Sequence, residues 1–162
     1  MPDLILRYNE FLTKKDEYDS IYKKLHAVNL FFNYVCKYKR EIKDYWKTPE
    51  EFLTDGFGDC EDFAIAKFYT FIKFDFDKQK LKFAYCHLLH KNGTREAHMV
   101  LLYYHSDSLT VVLDNHRKTL KALNKRVDLD IVYTFNEDSI FFNDDILNNT
   151  LSKWSDMNDR IA

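Results

Sequence analysis

Apolar positions in the first half of the chain recur at three- and four-residue steps. Between Ser20 and Lys39 the series Ile21, Leu25, Val28, Phe32 and Val35 marks one face of an amphipathic helix with Ser20 as its N-cap. Asp3 to Lys15 predicts a helix of the same kind. Thr48-Pro49-Glu50-Glu51 is a helix start: Thr48 caps, Pro49 suits the first helical position, Glu51 closes a capping box, and the helix should end near Gly56. After Gly58-Asp59, the positions Cys60, Phe63, Ala64, Ala66, Lys67, Phe68 and Phe71 again have helical spacing, with small residues that allow close packing on a neighbour. This reading puts Cys60 at a helix N-terminus.

From Leu81 onward the period changes to that of strands. Leu81 to Leu89 and Ala97 to Tyr104 flank a turn at His90 to Thr94 built on Asn92-Gly93, the sequence signal of a hairpin. A second reversal at His105 to Ser108 leads into Leu109 to Asn115, and Ile131 to Phe135 supplies a fourth strand. Helices followed by an antiparallel sheet predict an α+β fold. Residues from Asp144 to the end read as a polar terminal helix with little functional content.

Composition sharpens this picture. The 162 residues suffice for a single domain spanning 1–162, with 14 Phe and 11 Tyr to build a core and only 3 Gly and 2 Pro. The net charge of −2 gives no basic field for a phosphate backbone, so nucleic acid is excluded as a partner class. No apolar run reaches the length of a membrane helix, and Met1 to Tyr22 lacks a secretory leader's layout, which leaves a trimmed mature form open. Nothing demands more than a monomer. Cys36, Cys60 and Cys86 lack metal-type spacing, and an odd number leaves at least one thiol free.

Gly56 and Gly58 lie just before Cys60, so an unusual backbone path is expected there. A thiol on the first turn of a helix feels the positive end of the macrodipole, which favours thiolate, and the free N–H groups there can cradle an oxyanion. A nucleophilic cysteine needs a base and the base an orienting group. A hairpin centred on residue 106 sets His98 opposite Asp114, Val100 opposite Val112 and Leu102 opposite Thr110, all on one sheet face. Asp114 then fixes the tautomer of His98 and leaves the other ring nitrogen for Cys60. Trp46 and Asn33 are candidates for lining the cleft or donating to an oxyanion, although core roles suit both. His87, His90, His105 and His116 fall near strand ends or turns without metal-ligand spacing.

The block Gly58-Asp59-Cys60-Glu61-Asp62-Phe63-Ala64-Ile65-Ala66-Lys67, followed by Ala97-His98-Met99-Val100-Leu101 and Val112-Leu113-Asp114-Asn115, resembles the bacterial transglutaminase-like cysteine peptidases. The best-known members of that family are the LapG-type periplasmic proteases. The resemblance begins around Val28-Asn29, passes through Trp46 to Leu53 and runs to Asn136. It implies a papain-like, transglutaminase-like fold with a Cys60, His98, Asp114 triad, and a calcium requirement met by Asp59 and Glu61 with Asp62 as a third ligand. It further implies a periplasmic enzyme that cuts a large surface adhesin near its N-terminus to disperse biofilm. The implied regulator is the periplasmic domain of an inner-membrane receptor for cyclic diguanylate. An oxidising periplasm would also permit Cys36 and Cys86 to pair.

Elementary electrostatics supports an ion beside the nucleophile. Carboxylates packed against a thiolate raise the thiol pKa, and a bound divalent cation cancels that penalty. A hard ion preferring oxygen ligands suits the cluster better than zinc. The same acidic residues also serve as favourable charges at a helix N-terminus. Three functions compete: a calcium-dependent endopeptidase, a transglutaminase-like acyl transferase sharing its thioester intermediate, and a calcium-binding or regulatory module without catalysis.

Overall fold

A set of four helices precedes the sheet: α1 (Leu4–Thr13), α2 (Ile21–Val35), α3 (Pro49–Asp55) and α4 (Cys60–Lys73). The computed structural model describes residues 3–142, 145–147 and 151–161. Each helix begins where a polar side chain meets orphan backbone donors. Asp3 accepts from the amides of Ile5 and Leu6, and the Ser20 hydroxyl accepts from the Lys23 amide at 3.1 Å. Thr48 and Glu51 form the expected capping box, and Gly56 ends α3 with φ +76°, in the left-handed region.

Helix α2 stops at Val35, short of the predicted Lys39. The next residues form a two-residue strand β1 (Lys37–Tyr38), parallel to β2 (Phe57–Gly58) just before α4. Lys37 N donates to Gly56 O at 3.0 Å and Lys39 N to Gly58 O at 2.8 Å. These bonds satisfy backbone that a longer helix would have satisfied internally, and they tie the end of α2 to the entry of α4.

The sheet strands are β3 (Leu81–Leu89), β4 (Arg95–Ser106), β5 (Leu109–Leu113), β6 (Lys121–Ala122), β7 (Leu129–Phe135), β8 (Ile140–Phe142) and β9 (Asp145–Leu147). They run antiparallel in the order β6-β5-β4-β3-β7-β8-β9. The β4–β5 register differs from the one expected. Leu102 pairs with Val112 and Tyr104 with Thr110, a slip of two positions, because a bulge between Tyr104 and Ser106 absorbs part of the turn. Side chains alternate with period two, so the slip preserves the face, and Asp114 becomes a diagonal neighbour of His98.

Helix α4 is buried on nearly every side and packs on both β4 and α2. Ala64 and Ala66 allow that approach, while Phe63, Phe68 and Phe71 fill the space around them. Full burial of each phenylalanine contributes about 1.5–3 kcal/mol. The far face of the sheet carries a smaller cluster of Ala84, Cys86, Val100, Leu102 and Val112, partly covered by Leu123, Leu129 and Ile131.

The end of the chain departs from its prediction. Asp144 lies outside the described residues; beyond it the chain forms strand β9 and then helix α5 (Ser152–Asp159), so the terminal helix is present but starts later than predicted. Trp154 of α5 is 2 % exposed and its ring lies 5.2 Å from that of Phe83 and 5.6 Å from that of Phe68. One aromatic anchor therefore docks an otherwise polar helix on the core.

Candidate active site

The N-terminus of α4 is built by reciprocal capping. Asp59 N donates to Asp62 Oδ2 at 2.9 Å, and Cys60 N donates to Asp59 Oδ1 at 2.8 Å. Asp62 Oδ1 accepts from Lys47 N at 2.8 Å, which pins the segment ahead of α3 over the helix end. Gly58 is required by space, since a Cβ there would stand 2.6 Å from Asp62 Oδ2 and 2.8 Å from Phe52 Cε1. Both oxygens of Asp62 accept from backbone donors, as do those of Asp59, which take the amides of Cys60 and Glu41; the ligand atoms that cluster are those of Asp59, Cys60 and Glu61, without Asp62. The family resemblance suggested it as a third ligand; in the fold it is the third residue of α4 and closes the capping box whose N-cap is Asp59.

Ligand atoms of Asp59, Cys60 and Glu61 all lie within 4.8 Å of one another. Among the described residues no lysine or arginine pairs with Asp59 or Glu61. Burial, reinforced by the charges of Asp59 and Asp62, pushes the Glu61 carboxyl up to about 7. Two close carboxylates without a cationic partner, one of them buried, form a donor set of hard oxygens that fits calcium.

Cys60 was expected to be acidified by the helix terminus; with no cation beside it among the described residues, burial works against that effect. Burial pushes its thiol well above the ordinary value, and the charges of Glu61 and Asp59 add to the shift. The backbone N–H of Met99 opposes it without winning. Cys60 Sγ donates to Glu61 Oε2 at 3.3 Å, which favours the thiol further. The Cys60 N–H, expected to be free for an oxyanion, is occupied by Asp59 Oδ1.

His98 and Asp114 are brought together. His98 Nε2 donates to Asp114 Oδ1 at 2.7 Å, and both side chains are buried. The other ring nitrogen, Nδ1, has no hydrogen-bond partner among the described residues. Asp114 also accepts from His116 N at 2.9 Å and from Arg126 Nη2 at 2.8 Å. These partners hold its carboxyl well below the usual carboxylate range against the cost of burial. The 3₁₀ turn at Leu123–Lys125 carries the chain to Arg126, which is 3 % exposed and also grips Asp128.

Cys60, Asp59, Glu61 and His98 line one cavity of about 570 Å³. Its walls include Tyr38, Trp46, Tyr85, Glu96 and Tyr133, so Trp46 does line the cleft. Leu151, Ser152 and Lys153 also reach it, giving the chain's last segment a part that its polarity did not announce. Asn33 lies elsewhere and donates to the Asp114 carbonyl at 2.9 Å. Arg126 was missed altogether; neither spacing nor local motif marks a cation whose partner Asp114 arrives from another segment. Cys36 in the main core and Cys86 in the far-face cluster are both buried and free.

No curated protein matches the sequence. A family model described as bacterial transglutaminase-like cysteine proteinase matches residues 9–136. Among solved structures, calcium-bound LapG of Legionella pneumophila is 30% identical with a TM-score of 0.87, over 100% of this chain and 93% of that one. EGTA-treated LapG gives the same identity and TM-score over 100% and 91% of the two chains. A Cytophaga hutchinsonii protein at 14% identity and TM-score 0.53, over 92% of this chain and 52% of its own, shows likeness of fold alone.

Proposed function

Since the chain belongs to the bacterial transglutaminase-like cysteine proteinases and is a cysteine protease, we propose that Cys60, His98 and Asp114 are its catalytic triad and that calcium held by Asp59 and Glu61 is needed for its activity. The observation that carries this reading is the His98 Nε2 bond to Asp114 at 2.7 Å, made beside a cavity that Cys60 also lines, with Nδ1 left unpaired. Asp114 sets the tautomer and supports the imidazolium that forms.

In this reading Nδ1 of His98 takes the thiol proton of Cys60 as the sulfur attacks the scissile carbonyl carbon. The same proton passes to the leaving amine as the C–N bond breaks, which leaves a thioester on Cys60. Water, deprotonated by His98, then displaces the thiol and releases the acid. A bound calcium ion supplies positive charge beside Asp59 and Glu61, relieving the carboxylate field that disfavours thiolate. That LapG has been solved both calcium-bound and EGTA-treated supports this ion.

The proposal extends to a periplasmic enzyme acting on a large surface adhesin in biofilm control, under the periplasmic domain of a cyclic-diguanylate receptor. Its support is the match to LapG along the whole chain together with the Gly58 to Lys67 block. The test is digestion of a denatured-proteome peptide library with calcium or with EGTA, cleavage being read by mass spectrometry. Cleavage that needs calcium and vanishes in Cys60→Ala is expected. Undiminished cleavage by Cys60→Ala would overturn the assignment.

A further inference from the structure

Lys67 sits seven residues after Cys60 on α4 and is 0 % exposed. A wholly buried ammonium is costly, and among the described residues it has no carboxylate within ion-pair distance. Its one side-chain hydrogen bond among the described residues runs from Nζ to Asn33 Oδ1 on α2, at 2.9 Å. Burial lowers its pKa to about 7, while the nearby charge of Asp114 favours the ammonium.

Asn33 passes this contact on. Its Nδ2 donates to Asp114 O at 2.9 Å and to Lys118 O at 3.4 Å. One turn earlier on α2, Asn29 Nδ2 also donates to Lys118 O, at 3.0 Å. The ammonium can only donate, so it obliges the Asn33 amide to turn its oxygen towards α4 and its nitrogen towards the loop after β5. An apolar residue at 67 would fill the space without choosing that orientation.

The geometry points to Lys67 and Asn33 as positioning residues that hold the main chain of Asp114 where its carboxylate meets His98. Resting on the proposed triad, this assignment adds two groups that touch neither substrate nor reacting atoms. The helix that presents the nucleophile at its first turn thereby also fixes, from its interior, the loop bearing the acid.

The test uses the full chain with calcium and the probe iodoacetamide, whose reaction at Cys60 is followed by mass spectrometry at fixed pH, alongside the ¹⁵N ring signals of His98. In Lys67→Met the alkylation rate should fall by about 10- to 100-fold. The His98 Nε2 signal should move towards that of Asp114→Asn, a change that loss of packing alone would not produce. Lys67→Met/Asn33→Leu replaces the buried polar pair by apolar groups and keeps the fold if either single variant loses it; it should be no slower than the slower single variant, because both residues act through one tether. Wild-type alkylation and an unmoved His98 signal in folded Lys67→Met or in the double variant would overturn the assignment. The triad itself would fail differently, by His98→Ala reacting at the wild-type rate.

Discussion

Arg126 donates from Nη2 to Asp114 Oδ2 at 2.8 Å while His98 donates to Oδ1 of the same carboxylate. Asp114 is therefore shared between a buried ion pair and the proposed catalytic imidazole. Removing one partner of a buried pair leaves the other charge uncompensated, so Arg126→Ala should cost about 3–5 kcal/mol in urea unfolding. Asp114→Asn should reduce turnover by roughly 10³–10⁴-fold through loss of the tautomer control. Combining Asp114→Asn with Arg126→Met should destabilise by less than the sum of the two single changes, since they share one interaction.

The acidic residues around Cys60 should separate by role. Calcium at about 100 times its dissociation constant should stabilise the protein by about 2.7 kcal/mol, measured as a rise in Tm. Asp59→Asn and Glu61→Gln should abolish that rise. Asp62→Asn should lower Tm with calcium or EGTA alike, because its oxygens hold the amides of Asp59 and Lys47.

Lys67 gives stability a pH dependence of defined sign. Its pKa is about 7 in the folded chain against 10.5 for the free side chain. Between those values the unfolded chain binds the extra proton, so this group makes stability rise as pH climbs from about 7 towards 10, and its penalty is complete below about 7. The unfolding free energy of Lys67→Met minus that of the parent should accordingly be more positive at pH 6 than at pH 10. A difference that is flat across this range would contradict the buried ammonium.

Gly58→Ala should be destabilising although the residue carries no chemistry. The added methyl would meet Asp62 Oδ2 and Phe52 Cε1 inside contact distance. Overpacking of this kind costs about 1–3 kcal/mol, to be read from thermal unfolding.

Trp154→Ala should cost about 3–5 kcal/mol, as the loss of a large buried aromatic does. Because Leu151 to Lys153 line the cavity, the change should also alter substrate affinity, seen as a raised KM in the peptide assay.

What was legible in the sequence was local. Ser20, Thr48, Glu51 and Gly56 marked helix ends through capping chemistry that involves residues only a few positions apart. Cys60 at a helix start, His98 on a strand and Asp114 at the end of the adjoining strand followed from spacing and alternation, although that strand stops one residue earlier, at Leu113. Non-local features were hidden. The exact β4–β5 register depended on a bulge, and Arg126 joined Asp114 through a turn that carries no motif. The role of Asp62 turned on whether its carboxylate faced Lys47 or Glu61, which side-chain type cannot decide. The segment after Asp144 was given little function because two buried anchors, Trp154 and Met157, are outnumbered by polar neighbours.

The slip between β4 and β5 has a bearing on how this site tolerates change. Only an odd displacement would carry His98 and Asp114 to opposite sides of the sheet; the displacement of two from the register expected keeps them on one side as diagonal neighbours. A change in the loop at residues 105–108 that moves the register back by two would set Asp114 directly opposite His98, whereas a shift of one must be taken up by the bulge or dismantle the pair.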